Sequence, residues 1–149
     1  MLFRSHALGA AAYNNQPLWG PGGWDISLIV DGNRNQVIHG GEGNTDGFAY
    51  SINMGTEVKI EEIDIWPRQD GCCPDRLSNY RVSVHNDNNG QLGDEVWGAD
   101  LHTDGSNSGS GRGVKETITG DQNPTGSFKG QWIRIMALDT PPKIGRAHV

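Results

Sequence analysis

The chain contains Asn79-Tyr80-Arg81-Val82-Ser83-Val84, a stretch in which apolar residues alternate strictly with polar ones. Successive side chains of a β-strand point to opposite faces of a sheet, so this period predicts a strand with one buried face. Elsewhere in the chain, apolar residues do not recur at helical spacing over the length of a helix. We therefore expect an all-β fold in which helix is limited to a turn or two.

The alternation extends to a neighbouring segment, where its phase changes. Val58 and Ile60 alternate with polar residues, whereas Ile63 and Ile65 alternate in the opposite phase. One extra residue moves the side chains of a strand to the other face, so we expect a β-bulge at Glu61-Glu62. Further strands are predicted around residues 49–54, 96–97, 114–119 and 132–136. The predicted core consists of Ile60, Ile63, Ile65, Val82, Val84, Ile133 and Ile135.

Turn signals separate the predicted strands. Asn88-Asn89-Gly90 lies within residues 85–94, a polar stretch that we expect to be a long loop. Residues 102–113 are rich in Gly, Ser and Asn, and Asn123-Pro124-Thr125-Gly126 is a further turn. Short strands separated by such turn signals are typical of an antiparallel β-sandwich or barrel.

Length and charge narrow the function classes. The chain has 149 residues, the size of one domain, and 12 Lys and Arg against 18 Asp and Glu give a net charge of -6. An acidic balance argues against nucleic acid and anionic membrane as partners. No apolar run reaches the roughly 20 residues that span a bilayer, so no membrane insertion is expected.

Residues 1–5 and 144–149 resemble translated sequencing-library adapters, and we expect non-native ends on a metagenomic fragment.

Candidate binding residues lie in Arg68-Gln69-Asp70-Gly71-Cys72-Cys73-Pro74-Asp75-Arg76, between two predicted strands. A guanidinium group offers several donors in one plane, which suits the hydroxyl and ring oxygens of a sugar. Asp70 would fix one arginine through a charge-assisted pair. The alternative is a solvated salt-bridge cluster without function.

Cys72 and Cys73 are adjacent, and the chain has 2 cysteines in all. Adjacent Cα atoms lie about 3.8 Å apart, whereas ordinary disulfides need about 4.4–6.8 Å. The pair is therefore either a strained vicinal disulfide or two reduced thiols. In an oxidising compartment we predict the vicinal ring, because Gly71 and Pro74 favour a tight turn.

This segment resembles the signature of F-type lectins (fucolectins), which are coagulation factor 5/8 type C, or discoidin-like, domains of the galactose-binding-like superfamily. The signature is a histidine, then Arg-x-Asp, commonly Cys-Cys, and a second basic residue. The matching residues here are Arg68, Asp70, Cys72, Cys73 and Arg76, with Gly71 as an extra residue. His39 lies slightly too far upstream, and it takes the histidine position if the Gly-rich residues 40–47 absorb the difference.

The resemblance extends over residues 7–138. Val30-Asp31-Gly32-Asn33 is similar to the turn that follows the family's first strand, and Gly130-Gln131-Trp132-Ile133-Arg134-Ile135 is similar to its late strand. The resemblance implies an antiparallel β-sandwich of jelly-roll type, and we expect its last strand to be missing.

The resemblance also implies a non-catalytic carbohydrate-binding module that recognises fucose or galactose-like sugars on glycans. His39, Arg68 and Arg76 would donate hydrogen bonds to the sugar. Cys72-Cys73 would pack on its apolar face, and Asp70 would orient an arginine. The rival is a discoidin-like structural or adhesion domain without sugar binding. Of the three function classes, an enzyme is the least favoured, because the sequence contains no recognisable arrangement of a nucleophile and a general base. An extracellular or cell-surface location within a larger multidomain protein is expected.

Some F-type domains hold a structural calcium ion at the Asp-Gly-Asn turn. Asp31 and Asn33 match part of that ligand set, whereas Leu28 departs from it. Calcium takes about 6–8 oxygen ligands, so two matched residues form a partial set. The alternative is a turn stabilised by the Asp31 side chain alone.

Overall fold

The computed structural model describes residues 7–18, 25–33, 47–66, 78–104 and 115–138. The strands in these ranges are β1 (Ala11–Asn14), β2 (Ala49–Lys59), β3 (Glu62–Ile65), β4 (Tyr80–Asn88), β5 (Gln91–Leu101), β6 (Glu116–Thr119) and β7 (Lys129–Ala137). Two short 3-10 helices span Ile26–Ile29 and Gly120–Gln122. No helix within these ranges has the length and hydrophobicity that a bilayer crossing requires.

The strands form two antiparallel sheets. One is five-stranded with the order β1-β2-β7-β4-β5, and the other pairs β3 with β6. β7 is the central strand of the larger sheet, where Ile133 lies opposite Ile52 of β2 and Val84 of β4. Both sheets contribute to one hydrophobic cluster. The protein is therefore an antiparallel β-sandwich, as the sequence predicts.

The core between the sheets contains the residues that alternation selects. All of the predicted core residues are at most 9% exposed; they are Ile60, Ile63, Ile65, Val82, Val84, Ile133 and Ile135. Ile118 of β6 and Trp97 of β5 join them, at 0% and 1% exposure. Period-two alternation therefore identifies the core-facing residues of β3, β4 and β7, although Ser83 and His85 on the other face of β4 are buried as well.

The change of phase between Ile60 and Ile63 has a different cause from the one expected. β2 and β3 belong to different sheets, and the chain crosses between the sheets at Ile60 and Glu61. Both isoleucines face the shared core, from opposite sides. The predicted β-bulge at Glu61-Glu62 is wrong. The register irregularity of β2 lies earlier, between Asn53 and Val58.

Residues 85–94 form a hairpin and not the long loop that their polarity suggested. β4 and β5 continue through this stretch and are joined by Asn89-Gly90, whose φ angles are 52° and 82°. Two positive φ angles are typical of a type I′ turn, which matches the twist of the flanking strands. Gly90 adopts its angle without the steric cost of a Cβ, and its N–H donates to Asp87 Oδ2 at 3.0 Å.

The segment before the Asp-Gly-Asn turn is a 3-10 helix, not the strand that the resemblance implied. Asp25 Oδ1 accepts a hydrogen bond from the Ser27 N–H at 2.8 Å and caps this helix. Ile29 and Val30 at its end are each 1% exposed. The following turn is therefore held against the core on one side.

β5 forms an edge of the larger sheet, and a turn of the same chain covers part of that edge. Asn123 Nδ2 donates to the Gly98 carbonyl at 2.8 Å, and the Ser127 N–H donates to the Val96 carbonyl at 2.9 Å. The Gly126 N–H donates to the Asn123 carbonyl at 3.2 Å, which confirms the predicted turn. Two carbonyls of the edge are therefore already paired.

Replacement of Ile118 by alanine tests whether the small sheet is part of the core. Ile118 is 0% exposed, so we expect Ile118→Ala to lower the free energy of unfolding by about 2–5 kcal/mol in urea denaturation. The control is Glu62→Ala on the same sheet, where the side chain is exposed and a change within about 0.5 kcal/mol is expected. Equal effects of the two variants would contradict the packing described.

Candidate functional site

The residues predicted to bind sugar lie outside the described residues; they are His39, Arg68, Asp70, Cys72, Cys73 and Arg76. Their convergence on one pocket stays a prediction. The structure does describe where the segments that contain them meet the sandwich. Residues 34–46, which include His39, are followed by Gly47, and residues 67–77 lie between Trp66 and Ser78.

The segment that contains His39 joins β2 at a closely hydrogen-bonded point. The Gly47 N–H donates to the Ala137 carbonyl at 3.0 Å, and the Ala137 N–H donates to the Phe48 carbonyl at 2.9 Å. From β1, the side chain of Asn15 donates to the Gly47 carbonyl at 2.7 Å and accepts from the Ala49 N–H at 2.8 Å. Gly47 is therefore held to the last residue of β7 and to the end of β1.

The segment that contains the arginines joins β4 at the same end of the sheet. The Leu138 N–H donates to the Asn79 carbonyl at 3.0 Å, and the Asn79 N–H donates to the His102 carbonyl at 3.1 Å. Asn79 and His102 have φ angles of 48° and 52°, a left-handed conformation that asparagine tolerates better than most residues. Ser78 is 1% exposed. This junction is therefore tied to the ends of β5 and β7.

The two junctions lie side by side because they bond to consecutive residues, Ala137 and Leu138. Gly47 and Asn79 adjoin β2 and β4, which flank β7. Adjacent strands lie about 4.8 Å apart, so the junctions are about 10 Å from each other. This end of the sandwich, defined by Gly47, Asn79 and Leu138, is called the junction end below.

Contacts between the sheets bring the smaller sheet to the junction end as well. His102 stacks on Tyr80 with ring centroids 6.1 Å apart, and His102 Nε2 lies 3.4 Å from Glu116 Oε1. Glu116 pairs with Ile65 in the smaller sheet. Trp66, which precedes the arginine-containing segment, follows Ile65 directly. Both described ends of that segment are therefore at the junction end.

The Asp-Gly-Asn turn contains a hydrogen bond between its first and third residues. The Asn33 N–H donates to Asp31 Oδ1 at 2.7 Å, which is an Asx turn, and both residues are exposed. Within the described ranges, no group of three or more His, Cys, Asp and Glu side chains could hold a metal ion. Calcium at Asp31 and Asn33 stays a prediction.

A Ser–His pair lies on the outer face of the larger sheet, away from the core. Ser83 Oγ lies 2.8 Å from His85 Nε2, and His85 Nδ1 lies 3.0 Å from the Gly93 carbonyl. A carbonyl only accepts, so Nδ1 carries the proton and Nε2 accepts from the Ser83 hydroxyl. Ser83 and His85 are 3% and 6% exposed, which leaves a substrate no approach to the hydroxyl. The pair stabilises the sheet and lacks the access of a catalytic pair.

Arg81 and two acids form an ion-pair cluster beside this pair, which sequence reasoning missed. Arg81 donates to Glu95 Oε1 at 2.5 Å and to Asp100 Oδ1 at 2.6 Å. The hydrogen bond to Glu95 is the main cause that raises the pKa of Arg81. Gly98 lies beneath the cluster, and a Cβ there would collide with the guanidinium. The register places Asp100 opposite Arg81 and Gly98 opposite Ser83, so an acid opposite the strand arginine is the sequence signal that would have found it.

Comparisons with known proteins agree with this architecture. A family model described as a NedA-like, galactose-binding domain matches residues 28–128. No protein with a curated description matches the sequence. Fifty solved chains match the structure.

Three of these solved structures are carbohydrate-binding modules. A fucose binding module of Streptococcus pneumoniae is 20% identical, with a TM-score of 0.66, over 92% of this chain and 88% of that one. A family 32 module of Clostridium perfringens NanJ in complex with galactose is 20% identical, with a TM-score of 0.61, over 90% and 86%. A chitosan-binding module of a Paenibacillus enzyme is 18% identical, with a TM-score of 0.66, over 97% and 94%.

The burial of His85 predicts a pH-dependent stability. Burial lowers the pKa of His85 from its ordinary 6.5, so the folded state binds fewer protons than the unfolded state just below that pH. The free energy of unfolding therefore has its full value above about pH 6.5, and it declines as the pH falls towards the pKa of His85 in the folded state. We expect His85→Gln to flatten this decline in urea melts between about pH 7 and 5.

The control for this measurement is Ser83→Ala, which removes the hydroxyl and leaves the histidine buried. Its stability is expected to be lower at every pH, with the decline kept. A decline of the same slope in His85→Gln would assign the pH dependence to another group.

Proposed function

The chain belongs to the NedA-like, galactose-binding domains of the coagulation factor 5/8 type C, or discoidin-like, group, and we propose from this membership that it is a non-catalytic carbohydrate-binding module. The proposed binding site lies at the junction end. Its ligand is a fucose- or galactose-containing glycan, and its location is extracellular or on a cell surface, within a larger multidomain protein.

The observation that supports the position of this site is the pair of adjacent junctions on β7. Gly47 and Asn79 are bonded to Ala137 and Leu138, so the segments with His39 and with the arginines end about 10 Å apart. This short separation supports a shared site in which one sugar receives hydrogen bonds from both segments.

The solved relatives support the class of ligand. Modules of this fold are described as binding fucose, galactose and chitosan, which are chemically diverse neutral or amino sugars. The choice of fucose or galactose rests on the F-type lectin signature in residues 68–76. Because the identities are 20% or lower, the sugar is assigned by that signature and not by the relatives.

The proposed roles follow from donor chemistry. His39, Arg68 and Arg76 donate hydrogen bonds to hydroxyls and to the ring oxygen, and Asp70 holds one guanidinium in its binding orientation. A single sugar offers few heavy atoms and loses hydration from its hydroxyls, so we expect a Kd between about 10 μM and 1 mM. Several modules in one protein would add avidity.

A glycan array followed by titration tests the proposal. We expect binding to fucosylated or galactosylated glycans, and a loss of about 10- to 100-fold in affinity in Arg68→Ala and in Arg76→Ala, because each removes a charged hydrogen bond. The matched control is Lys59→Ala, which removes an exposed positive charge. Lys59 lies at the end of β2 that is far from Gly47. A folded protein that binds no glycan on the array would instead be the discoidin-like structural or adhesion domain.

The two cysteines give a separate test. We propose that Cys72 and Cys73 form a vicinal disulfide that packs against the apolar face of the sugar. Intact mass after alkylation, with and without reductant, is expected to reveal thiols only after reduction. Cys72→Ser with Cys73→Ser is expected to weaken sugar binding and to change stability little, because so short a loop constrains the unfolded chain hardly at all. Two alkylated thiols in unreduced, secreted protein would refute the ring.

A further inference from the structure

The outer face of the larger sheet contains a concave surface that the proposed junction-end site does not use. Its volume is about 400 Å³, and it is lined by Tyr13, Ser51, Gly90, Gln91, Leu92 and Trp132. Tyr13 is 50% exposed, and it is one of two large hydrophobic side chains this exposed in the described part of the chain. This surface is called the aromatic pocket below. We propose that the aromatic pocket is a second saccharide site, for a neutral pyranose.

The floor of the pocket is the exposed ring of Tyr13, which rests against the buried indole of Trp132. The centroids of Tyr13 and Trp132 are 5.6 Å apart, and the rings are inclined by 37°. Trp132 is 3% exposed, and its Nε1–H donates to Asp87 Oδ1 at 2.9 Å, which fixes the indole orientation. Tyr13 lies on β1 opposite Ser51. The Tyr13 ring is therefore a platform supported by a buried indole, and its position is set by the sheet and the hairpin.

The rim of the pocket supplies polar groups that no other described residue engages. The hydroxyls of Tyr13 and Ser51 and the amide of Gln91 make no hydrogen bond within the described part of the chain. These groups are two hydroxyls and one side-chain amide, and each of them can donate and accept hydrogen bonds. They surround the rings from β1, β2 and the hairpin. A bound molecule with several hydroxyls can therefore pair with all of them.

The combination of platform and rim fits a pyranose. One face of a pyranose carries C–H groups, which pack on an aromatic ring, and its edge carries hydroxyls for the rim. The volume lies within the range of about 300–1,000 Å³ that small-molecule pockets have. Hydrogen bonds from Gly90 and Trp132 lower the pKa of Asp87, so this carboxylate stays charged beside the pocket. A negative charge there favours neutral sugars over acidic ones.

The aromatic pocket and the junction end are far enough apart to bind separately. Gln91 pairs with Asn88 at the tip of the hairpin, and β4 runs from Tyr80 at the junction end to Asn88. Ser51 is four residues after Gly47, so at about 3.3 Å per residue the near side of the pocket is roughly 13 Å from the junction end, and the hairpin side is farther away. A monosaccharide at one site therefore leaves the other open, whereas an oligosaccharide could bridge the two.

NMR titration of the full chain tests the second site through the indole Nε1–H resonance of Trp132. The probes are the methyl glycosides of galactose and of fucose, chitotriose, and glucuronic acid as the acidic control. We expect one or more neutral probes to shift this resonance and glucuronic acid to leave it unchanged. Tyr13→Ala is expected to weaken the response about tenfold, and Tyr13→Phe, which keeps the ring, to retain most of it. Gln91→Ala is a second variant, on the exposed hairpin tip, in case Tyr13→Ala perturbs β1.

Arg68→Ala separates this inference from the proposed function. A Trp132 response that persists in Arg68→Ala supports a second site, even if that variant loses glycan binding. A response that disappears with Arg68 would be transmitted from the junction end and would overturn the second site alone. No response to any neutral probe, or an undiminished one in both Tyr13→Ala and Gln91→Ala, would also overturn it. Neither result bears on glycan binding at the junction end.

Discussion

Hydrogen bonding of β7 on both of its edges is the constraint on which the rest of the molecule depends. β7 pairs with β2 through Ile133 and Ile135 on one side and with β4 through the same residues on the other. Near its start, a Cβ on Gly130 would lie 2.6 Å from the His85 carbonyl oxygen, so the strands approach closely. At its end, Ala137 and Leu138 fix both junctions. Core, sheet order and candidate site therefore share one central strand.

This arrangement separates the backbone pairing that fixes the junctions from the side chains of the segments that end there. Backbone pairing at Gly47 and Asn79 needs no particular side chains in the segments that precede them. Those segments can therefore vary in sequence while the positions at which they join the sheet remain fixed. Modules of this fold that are 20% identical or less to this chain, and that are described with different sugars, are consistent with such a division.

The sequence predicted the parts of the fold that depend on alternation, and it failed where position depends on distant partners. Period-two burial identified Val82 and Ile133, because a strand presents the same faces whatever lies beside it. The phase change at Ile60 was misread, since local alternation does not distinguish a bulge from a crossing between sheets. The contacts of Asn15 with Gly47 join residues 32 positions apart, and no local pattern marks them. The segment signature supplied a prediction of the sugar-binding residues, whereas the junctions of the segments that contain them are visible only in the structure.

The turn that covers β5 bears on how copies of this domain behave when crowded. An unpaired edge strand of 11 residues is a template for pairing with another chain, which leads to aggregation. Asn123 and Ser127 donate hydrogen bonds to the carbonyls of Gly98 and Val96, and the strand also contains charged side chains, namely Asp94 and the Glu95 and Asp100 that pair with Arg81. Repeated domains on one polypeptide would hold their β5 edges at high local concentration. Here, the covered and charged edge keeps such neighbours from joining sheet to sheet.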